Sequence, residues 1–220
     1  MRVFCVIPAY NEAKTIADVI SQVKPLVDEV VVVDDNSQDN TLTLAKEAGA
    51  TALHHPINRG QGAALQTGNA YALEHSADII VHFDADGQFL SQEIADVVQP
   101  IKDQKAEIVF GSRFLEKKTN LPWSKKHLIM PLARLINKLF FGINLTDPQS
   151  GFRAMTKDVA RQIKIENDGM AHCNEILIKS FKNKYRIQEV PITVIYHEFG
   201  QKFSGGFRII KDLIYKKIIK

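Results

Sequence analysis

Val30-Val-Val-Val-Asp-Asp35 joins four consecutive apolar residues to two carboxylates. A run that is apolar at every position is typical of a strand with both faces covered, as in a parallel sheet. Other short apolar runs along the first half of the chain also end in polar residues, and they alternate with segments of helical periodicity. This order of strands and helices predicts an α/β fold, a mostly parallel sheet with helices on both faces.

The expected elements follow from this alternation. Strands are predicted at residues 3–8, 30–34, 51–54, 79–83 and 108–111, and helices at 12–27, 41–48, 62–74 and 92–101. A helix near 172–181 and a strand-like segment at 188–196 follow. Ligands of open parallel sheets bind beyond the carboxyl ends of the strands. The polar residues that end the five early strands are therefore expected to share one site.

Charge is divided unevenly along the 220 residues. Residues 1–112 contain 7 Lys and Arg against 16 Asp and Glu, whereas residues 113–220 contain 21 against 9. The acidic part suits cations, and the basic part suits phosphates, nucleic acid or an anionic membrane surface. No stretch approaches the roughly 18 to 20 consecutive apolar residues of a membrane span, so we expect neither a signal peptide nor a transmembrane anchor. Cys5 and Cys173, far apart, predict two buried, reduced thiols.

Asp84-Ala-Asp-Gly-Gln88 ends the fourth expected strand. An EF-hand loop that began at Asp84 would require Gly and Glu where the chain has Phe89 and Ala95, so that type of calcium site is excluded. Carboxylates that face a diphosphate hold one Mg²⁺ or Mn²⁺ through few protein ligands, and Asp86 would be the main one. The alternative is a tight turn at Gly87 or the start of a helix.

Two other strand ends are ambiguous when taken alone. Asp39 or Asn40 is expected to cap the helix that follows, while Asp34 or Asp35 would accept hydrogen bonds from a nucleotide base or ribose. Asn58-Arg-Gly-Gln-Gly-Ala63 precedes a helix but lacks the spacing of a Walker loop, so it is a weak phosphate-binding signal.

The motifs are more specific in combination than alone. In chain order they are Val6-Ile-Pro-Ala-Tyr-Asn-Glu12, Val33-Asp-Asp-Asn-Ser-Gln-Asp-Asn-Thr41, Asn58-Arg-Gly-Gln-Gly-Ala63, Asp84-Ala-Asp-Gly-Gln88, Gly111-Ser-Arg113 and Ser150-Gly-Phe-Arg153. This series resembles the family 2 glycosyltransferases with the GT-A fold, most closely their dolichol-phosphate mannosyltransferase-like branch. The resemblance extends from residue 3 to about residue 200.

The resemblance implies roles for individual positions. The residues implied to bind the nucleotide sugar are Pro8, Tyr10, Glu12, Asp34, Asp35, Gly62 and Asp84. The implied ligands of one Mg²⁺ or Mn²⁺ are Asp84, Asp86 and Gln88. The implied catalytic residues are Asp86, Arg113, Lys126, Arg153 and Lys202. A structural ion pair with Asp147 is the alternative for Arg153, and the acceptor contacts of Lys126 and Lys202 match the relatives less well, because lysine cannot reproduce a bidentate arginine.

The activity implied is an inverting, metal-dependent transfer of a sugar to a polyprenyl or dolichyl phosphate. Mannose from GDP-mannose is the first expectation and glucose from UDP-glucose the second. Two alternatives stay open, transfer to a saccharide hydroxyl and a non-catalytic nucleotide-binding subunit. We expect one domain over residues 1–220, with a nucleotide-sugar-binding half at 1–114 and a half that faces the acceptor and the membrane at 115–220.

Membrane contact is expected from the second half. Residues 128–141 place apolar side chains on one helical arc and Arg134 and Lys138 on the other, as in either a core helix or a helix that lies on an anionic bilayer. The basic tail at 207–220 is a second candidate contact, with a membrane or with a membrane-anchored subunit. We therefore expect a cytoplasmic protein, peripheral on the cytoplasmic face of a membrane. No aromatic-interleaved basic motif predicts a nucleic-acid partner.

Overall fold

The computed structural model describes residues 1–115 and 145–195. Their strands form one seven-stranded sheet in the order β3-β2-β1-β4-β6-β5-β7. Neighbouring strands run parallel, except that β6 is antiparallel to both β4 and β5. The predicted mostly parallel sheet is confirmed. The strands are β1 (Val3–Ala9), β2 (Glu29–Asp34), β3 (Thr51–His54), β4 (Ile79–His82), β5 (Ile108–Ser112), β6 (Arg153–Thr156) and β7 (Ile187–Pro191).

Helices cover both faces of the sheet, as predicted. They are α1 (Ile16–Val23), α2 (Thr41–Glu47), α3 (Gln61–Glu74), α4 (Ile94–Lys102), α5 (Lys157–Gln162) and α6 (His172–Lys182). Alternate residues of β2 enter two separate hydrophobic clusters: Val30 and Val32 pack on the side of α1, α2 and α4, and Val31 and Val33 on the side of α3, α5 and α6. Each of these four valines is at most 3% exposed, which is why the run is apolar at every position.

Several boundaries differ from the expected ones. Helix α1 begins at residue 16 because residues 12–15 form a turn, in which the Thr15 N–H donates to the Glu12 carbonyl at 3.1 Å. A short 3-10 helix at Ser91–Glu93 precedes α4. Strand β7 ends at Pro191, and the predicted strand continues only as an isolated bridge between Val194 and Phe89.

Strand β6 is absent from the sequence-based expectation. It has only four residues, Arg153–Thr156, and it lies between β4 and β5. Four residues that begin with arginine carry little periodicity, so only the tertiary arrangement identifies them as a strand. The insertion pairs Arg153 with His82 of β4 and with Phe110 of β5, which brings a residue from the second half of the chain to the centre of the sheet.

Some expectations fall outside the described residues. These are the amphipathic segment at 128–141, the tail at 207–220, Lys126 and Lys202. Among the helices of residues 1–115 and 145–195, none has the length and apolarity needed to cross a membrane. Cys5 and Cys173 are both buried and free.

Candidate active site

The loop after β4 carries Asp84 and Asp86 at the carboxyl edge of the sheet. Asp84 Oδ1 accepts a hydrogen bond from Gln61 Nε2 at 3.0 Å, and Asp86 Oδ1 accepts one from the Gln88 N–H at 3.0 Å. Gly87 has a φ of 71°, in the left-handed region that favours glycine. A turn at Gly87 and a pair of carboxylates therefore coexist, and the two alternatives for this motif are not exclusive.

The two carboxylates are suited to a divalent cation. Burial is the main cause that raises the pKa of Asp84 to about 7; the negative charges of Asp86 and Cys173 also contribute to the rise, and the charges of Arg153 and His172 oppose it. A cation between like charges relieves this repulsion, and the oxygen donors, with the Gln88 amide, suit Mg²⁺ or Mn²⁺. Residues 1–115 and 145–195 contain no group of three or more His, Cys, Asp or Glu arranged for a metal. A cation here would thus take further ligands from a diphosphate and water.

Glu12, just after β1, lies within electrostatic reach of this loop. Burial raises the pKa of Glu12, the charges of Asp86 and Asp39 raise it further, and the hydrogen bond from Thr15 opposes them. Thr15 Oγ1 lies 3.2 Å from Glu12 Oε2 and donates to the Ala85 carbonyl at 2.7 Å. Thr15 therefore connects the loops that follow β1 and β4.

Pro8 and Tyr10 differ in exposure. Pro8 is buried inside β1, where it pairs with Val33 of β2. The Tyr10 residue is 47% exposed. An exposed aromatic ring at the carboxyl edge is available for stacking on a base, whereas Pro8 can act there only through the position of the backbone.

Asp35 holds the loop that leads into α3. Its Oδ1 lies 2.7 Å from His55 Nδ1, and its Oδ2 accepts from the Gly60 N–H at 2.6 Å. The Arg59 N–H lies 3.0 and 3.1 Å from the two oxygens. Burial raises the pKa of Asp35, but the hydrogen bonds from Arg59, His55 and Gly60 outweigh burial and leave the pKa below its ordinary value. The carboxylate oxygens of Asp35, which were predicted to accept hydrogen bonds from a nucleotide, thus accept them from the protein itself.

Asp34 is less completely satisfied. It is 1% exposed, and its Oδ2 accepts from the Ser37 N–H at 3.2 Å and lies 2.9 Å from His54 Nδ1. Its Oδ1 is buried and has no hydrogen-bond partner within residues 1–115 and 145–195. The predicted helix-start contact belongs to Asp39, whose Oδ1 accepts from the Thr41 N–H at 3.0 Å. Of the carboxylates of Asp34 and Asp35, that of Asp34 therefore keeps one buried acceptor oxygen that the described residues do not use.

Gly62 lies in the first turn of α3, but its N–H is occupied by the protein. It donates to the Asp168 carbonyl at 2.7 Å, so the loop between α5 and α6 satisfies the start of this helix. A Cβ at Gly62 would lie 2.0 Å from the Asn167 carbonyl oxygen. The glycine thus permits close approach of a second backbone, where the motif alone suggested a phosphate.

Substitution of Gly62 by alanine should destabilise the protein, although alanine is the better helix former. The added methyl group would overpack the contact with Asn167, at a cost of about 1 to 3 kcal/mol. Gly169→Ala is the matched control, because a Cβ there meets no atom of the described part of the chain within 4 Å. Urea unfolding of the two variants measures the difference. Equal stabilities would contradict the close approach.

Glu175 of α6 organises the same loop. Its carboxylate accepts from the Glu166 N–H at 3.0 Å, from the Asn167 N–H at 2.8 Å and from Lys179 Nζ at 2.7 Å. Burial raises the pKa of Glu175, but the hydrogen bonds from Lys179 and Asn167 outweigh it and leave the pKa below its ordinary value. The charged form of Glu175 is therefore the one that stabilises the loop that packs on α3.

Glu175→Gln should lower the free energy of unfolding at pH 7 by about 1.5 to 3 kcal/mol, the range for hydrogen bonds to charged groups. Because the folded pKa is depressed, the contribution is present above the unfolded pKa near 4.3 and is lost as the pH falls through the folded pKa. The gap between wild type and variant should therefore narrow between pH 5 and pH 3. Urea unfolding at several pH values, with the exposed Glu74→Gln as control, measures it; a constant gap would contradict the depressed pKa.

Arg113 is held in a bidentate ion pair by Asp147. Its Nε and Nη2 donate to the two carboxylate oxygens at 2.6 and 2.7 Å, and its N–H donates at 3.1 Å. Asp147 is fully buried, and its own N–H donates to Glu189 at 3.0 Å. The Arg113 side chain keeps 21% exposure, so the pair fixes a partly open guanidinium at the end of β5.

Arg153 does not take part in the ion pair with Asp147 that was the structural alternative for it. Asp147 pairs with Arg113 instead, and the Arg153 residue has 0% exposure. Its guanidinium lies beside Cys173, with Nη2 at 3.3 Å from Sγ. Burial raises the pKa of Cys173, but the positive charge of Arg153 and the neighbouring His172 outweigh it and lower the pKa to about 6.

The residues that the sequence did not predict are those that support the loops of the site through hydrogen bonds. They are separated from their partners in sequence, and a single polar residue in a helix, strand or loop carries no distinct signal. They are His55, Asp168, Cys173, Glu175 and Glu189.

Comparison with known proteins indicates the family of this chain. Residues 4–164 match the sequence profile described as Glycosyl transferase family 2. The "UDP-N-acetylglucosamine--dolichyl-phosphate N-acetylglucosaminyltransferase" of Methanococcus voltae is 36% identical, over 99% of this chain and 97% of the relative. The "Undecaprenyl-phosphate mannosyltransferase" of Micrococcus luteus is 33% identical, over 94% of this chain and 89% of the relative.

Among solved structures, glucosyl-3-phosphoglycerate synthase from Mycobacterium tuberculosis, crystallised with Mn²⁺, uridine diphosphate and phosphoglyceric acid, shares the fold. It superposes with a TM-score of 0.76 and 22% identity, over 97% of this chain and 76% of that one. The sheet, its helices on both faces and the profile match agree, and the chain belongs to glycosyl transferase family 2, with the GT-A fold.

Proposed function

We propose that this glycosyltransferase moves a sugar from a nucleoside diphosphate to the phosphate of a polyprenyl or dolichyl lipid, with inversion at the anomeric carbon. The observation that carries the proposal is the pair Asp84 and Asp86 on the loop after β4, at the carboxyl edge of a GT-A sheet, where the charge of Asp86 acts on Glu12 of the loop after β1. The names of the Methanococcus and Micrococcus relatives specify lipid phosphate acceptors and support this acceptor class.

The donor would occupy the edge formed by the ends of β1, β2 and β4. Tyr10 and Glu12 would contact the base and ribose, and Pro8 would set the direction of that loop. Asp34 would supply its unused acceptor oxygen at the end of β2. Asp35 and Gly62 would act in donor binding by holding the loop before α3. Asp84, Asp86 and Gln88 would hold Mg²⁺ or Mn²⁺, which when bound stabilises the negative charge of the departing nucleoside diphosphate.

In the transfer step, a phosphate oxygen of the acceptor forms a bond to the anomeric carbon from the face opposite the donor diphosphate. The bond from that carbon to the diphosphate oxygen breaks, and its electron pair leaves with the nucleoside diphosphate. Because the acceptor oxygen is already anionic near neutral pH, no side chain has to remove a proton. The protein residues would act by positioning and by neutralising charge, Arg113 at the end of β5 and Lys126 and Lys202 from outside the described residues.

The two halves of the chain would have different roles. Residues 1–114 would bind the donor, and residues 115–220 would face the acceptor at the cytoplasmic surface of a membrane, directly or through a membrane-anchored subunit. GDP-mannose is the first donor to test and UDP-glucose the second. UDP-N-acetylglucosamine joins them because of the name of the Methanococcus relative.

A transfer assay with the full chain tests the proposal. Each labelled nucleotide sugar is incubated with Mg²⁺ and a short polyprenyl phosphate, and labelled lipid is extracted. We expect label in the lipid from one donor, with loss of transfer when EDTA removes the metal. The same polyprenol without its phosphate is the matched acceptor control. Transfer to that alcohol or to an oligosaccharide instead would indicate a hydroxyl acceptor, and absence of transfer with every donor would contradict the proposal.

A further inference from the structure

Arg153 is a buried cation without a carboxylate partner. It has 0% exposure, and the carboxylates of residues 1–115 and 145–195 form no salt bridge with it. Among the residues that the structure describes, its Nη1 has no hydrogen-bond partner. Desolvation of a guanidinium is unfavourable unless a specific set of acceptors compensates for it. The contacts that Arg153 does make therefore indicate its role in the structure.

Two of these contacts go to a single turn. Arg153 Nε donates to the Gly151 carbonyl at 3.2 Å, and Nη2 donates to the Ser150 carbonyl at 2.9 Å. The planar guanidinium presents its N–H groups in a rigid fork, so two donors on adjacent carbonyls fix the orientation of the backbone as well as its position. A lysine at this position could donate from one point only.

The same turn packs directly on Asp84. A Cβ at Gly151 would lie 2.7 Å from Asp84 Oδ2 and 3.1 Å from Oδ1, so only glycine allows this approach. On its other side, Asp84 accepts from Gln61. The carboxylate is thus confined between the start of α3 and the turn that Arg153 holds.

A third contact connects Arg153 to α6. Nη2 lies 3.3 Å from Cys173 Sγ, and Sγ lies 3.4 Å from His172 Nε2. The sulfur gives the guanidinium an acceptor from a different element, which fixes its plane relative to the sheet. Within the described residues, Arg153 is therefore held from both sides, by a turn and by a helix.

We propose that Arg153 is a positioning residue, which holds the Ser150-Gly151 turn against Asp84 and so keeps the Asp84–Asp86 pair in place for a divalent cation. This inference rests on the metal role of those two carboxylates proposed above. It assigns Arg153 an indirect part in the reaction, through Asp84, and no contact with a substrate.

Affinity for Mn²⁺ tests the inference without turnover. Free Mn²⁺ is measured by electron paramagnetic resonance in the presence of GDP or UDP, with the full chain and no acceptor. For Arg153→Lys and Arg153→Gln we expect affinity at least about tenfold weaker, as for groups that orient metal ligands in other proteins. Met155→Ala is the matched control: Met155 lies on the same strand, is 1% exposed and packs among apolar residues away from the turn. It should lose stability and keep its affinity for Mn²⁺.

A second pair of variants covers the case in which Arg153 variants do not fold. Cys173→Ala removes one acceptor of the guanidinium and should weaken Mn²⁺ binding by a smaller factor, whereas Cys173→Ser keeps an acceptor and should restore it. Unchanged affinity in the Arg153 and Cys173→Ala variants, or an equal loss in Met155→Ala, would overturn the inference alone. A wild-type protein that binds no Mn²⁺ with either nucleotide would overturn the proposed metal role and this inference with it.

Discussion

Asp86→Ala should abolish most sugar transfer and leave the fold intact. Removal of one preorganised electrostatic group from such a site lowers kcat by about 10² to 10³-fold, and Asp86 would contribute both charge and an oxygen ligand. The hydrogen bond that Asp86 accepts from the Gln88 N–H spans only this turn, so its loss should cost little stability. Initial rates of lipid labelling, with thermal unfolding of the same samples, measure both effects.

Two variants control this result. Asp86→Asn keeps the shape of the side chain and loses its charge, so it should lose nearly as much activity. Asp103→Ala removes an exposed carboxylate that accepts from Gln99 Nε2 at 2.7 Å and from Lys105 Nζ at 3.0 Å, and it should keep the wild-type rate. A wild-type rate for Asp86→Ala measured in the native complex would instead favour a nucleotide-binding subunit without catalytic function.

Asp147→Ala should cause a large loss of stability. The fully buried carboxylate accepts three hydrogen bonds from Arg113, from Nε, Nη2 and the backbone N–H. Removal of one partner of a buried ion pair costs about 3 to 5 kcal/mol, because the other charge is left uncompensated. The partial exposure of Arg113 places the expected loss at the low end, so the midpoint of thermal unfolding should fall by on the order of 10 °C.

The matched control is Asp158→Ala. Asp158 pairs with Arg161 at 3.6 Å on the surface, and both side chains are more than half exposed. Exposed pairs of this kind contribute little, so the unfolding midpoint should barely change. Circular dichroism melts of the two variants decide the matter, and equal midpoints would show that the Arg113–Asp147 pair contributes no net stability.

Much of the fold was predictable from short windows of sequence. All five early strands, including Thr51–His54, lie where the apolar runs place them, and their polar ends meet at one edge. The strands were predictable because burial on two faces requires apolar residues at consecutive positions. The periodicity of a strand or a helix likewise appears in the pattern of neighbouring residues. The position of the Asp84-Ala-Asp-Gly-Gln88 motif at a strand end followed from the same local pattern.

The partners of buried polar groups were not predictable in this way. Asp35 accepts from Gly60, 25 residues away, and Asp147 accepts from Arg113, 34 residues away. Each donor is one of many polar groups in the chain, and nothing in its immediate neighbours distinguishes it. The structure also pairs Asp147 with Arg113, and not with Arg153 as in the structural alternative for that arginine.

The amino-acid sequence alone was therefore enough to establish the α/β class and the positions where the early strands end. It also identified the polar residues at those ends as the candidate site residues. Only the tertiary structure decided which of those residues lie at the open edge of the sheet and which support its loops through hydrogen bonds. Asp35, Gly62 and Arg153 belong to the supporting group. The physical reason is that hydrophobic burial follows from the pattern of adjacent residues, whereas a buried polar group must be satisfied by whichever donor or acceptor folding brings to it.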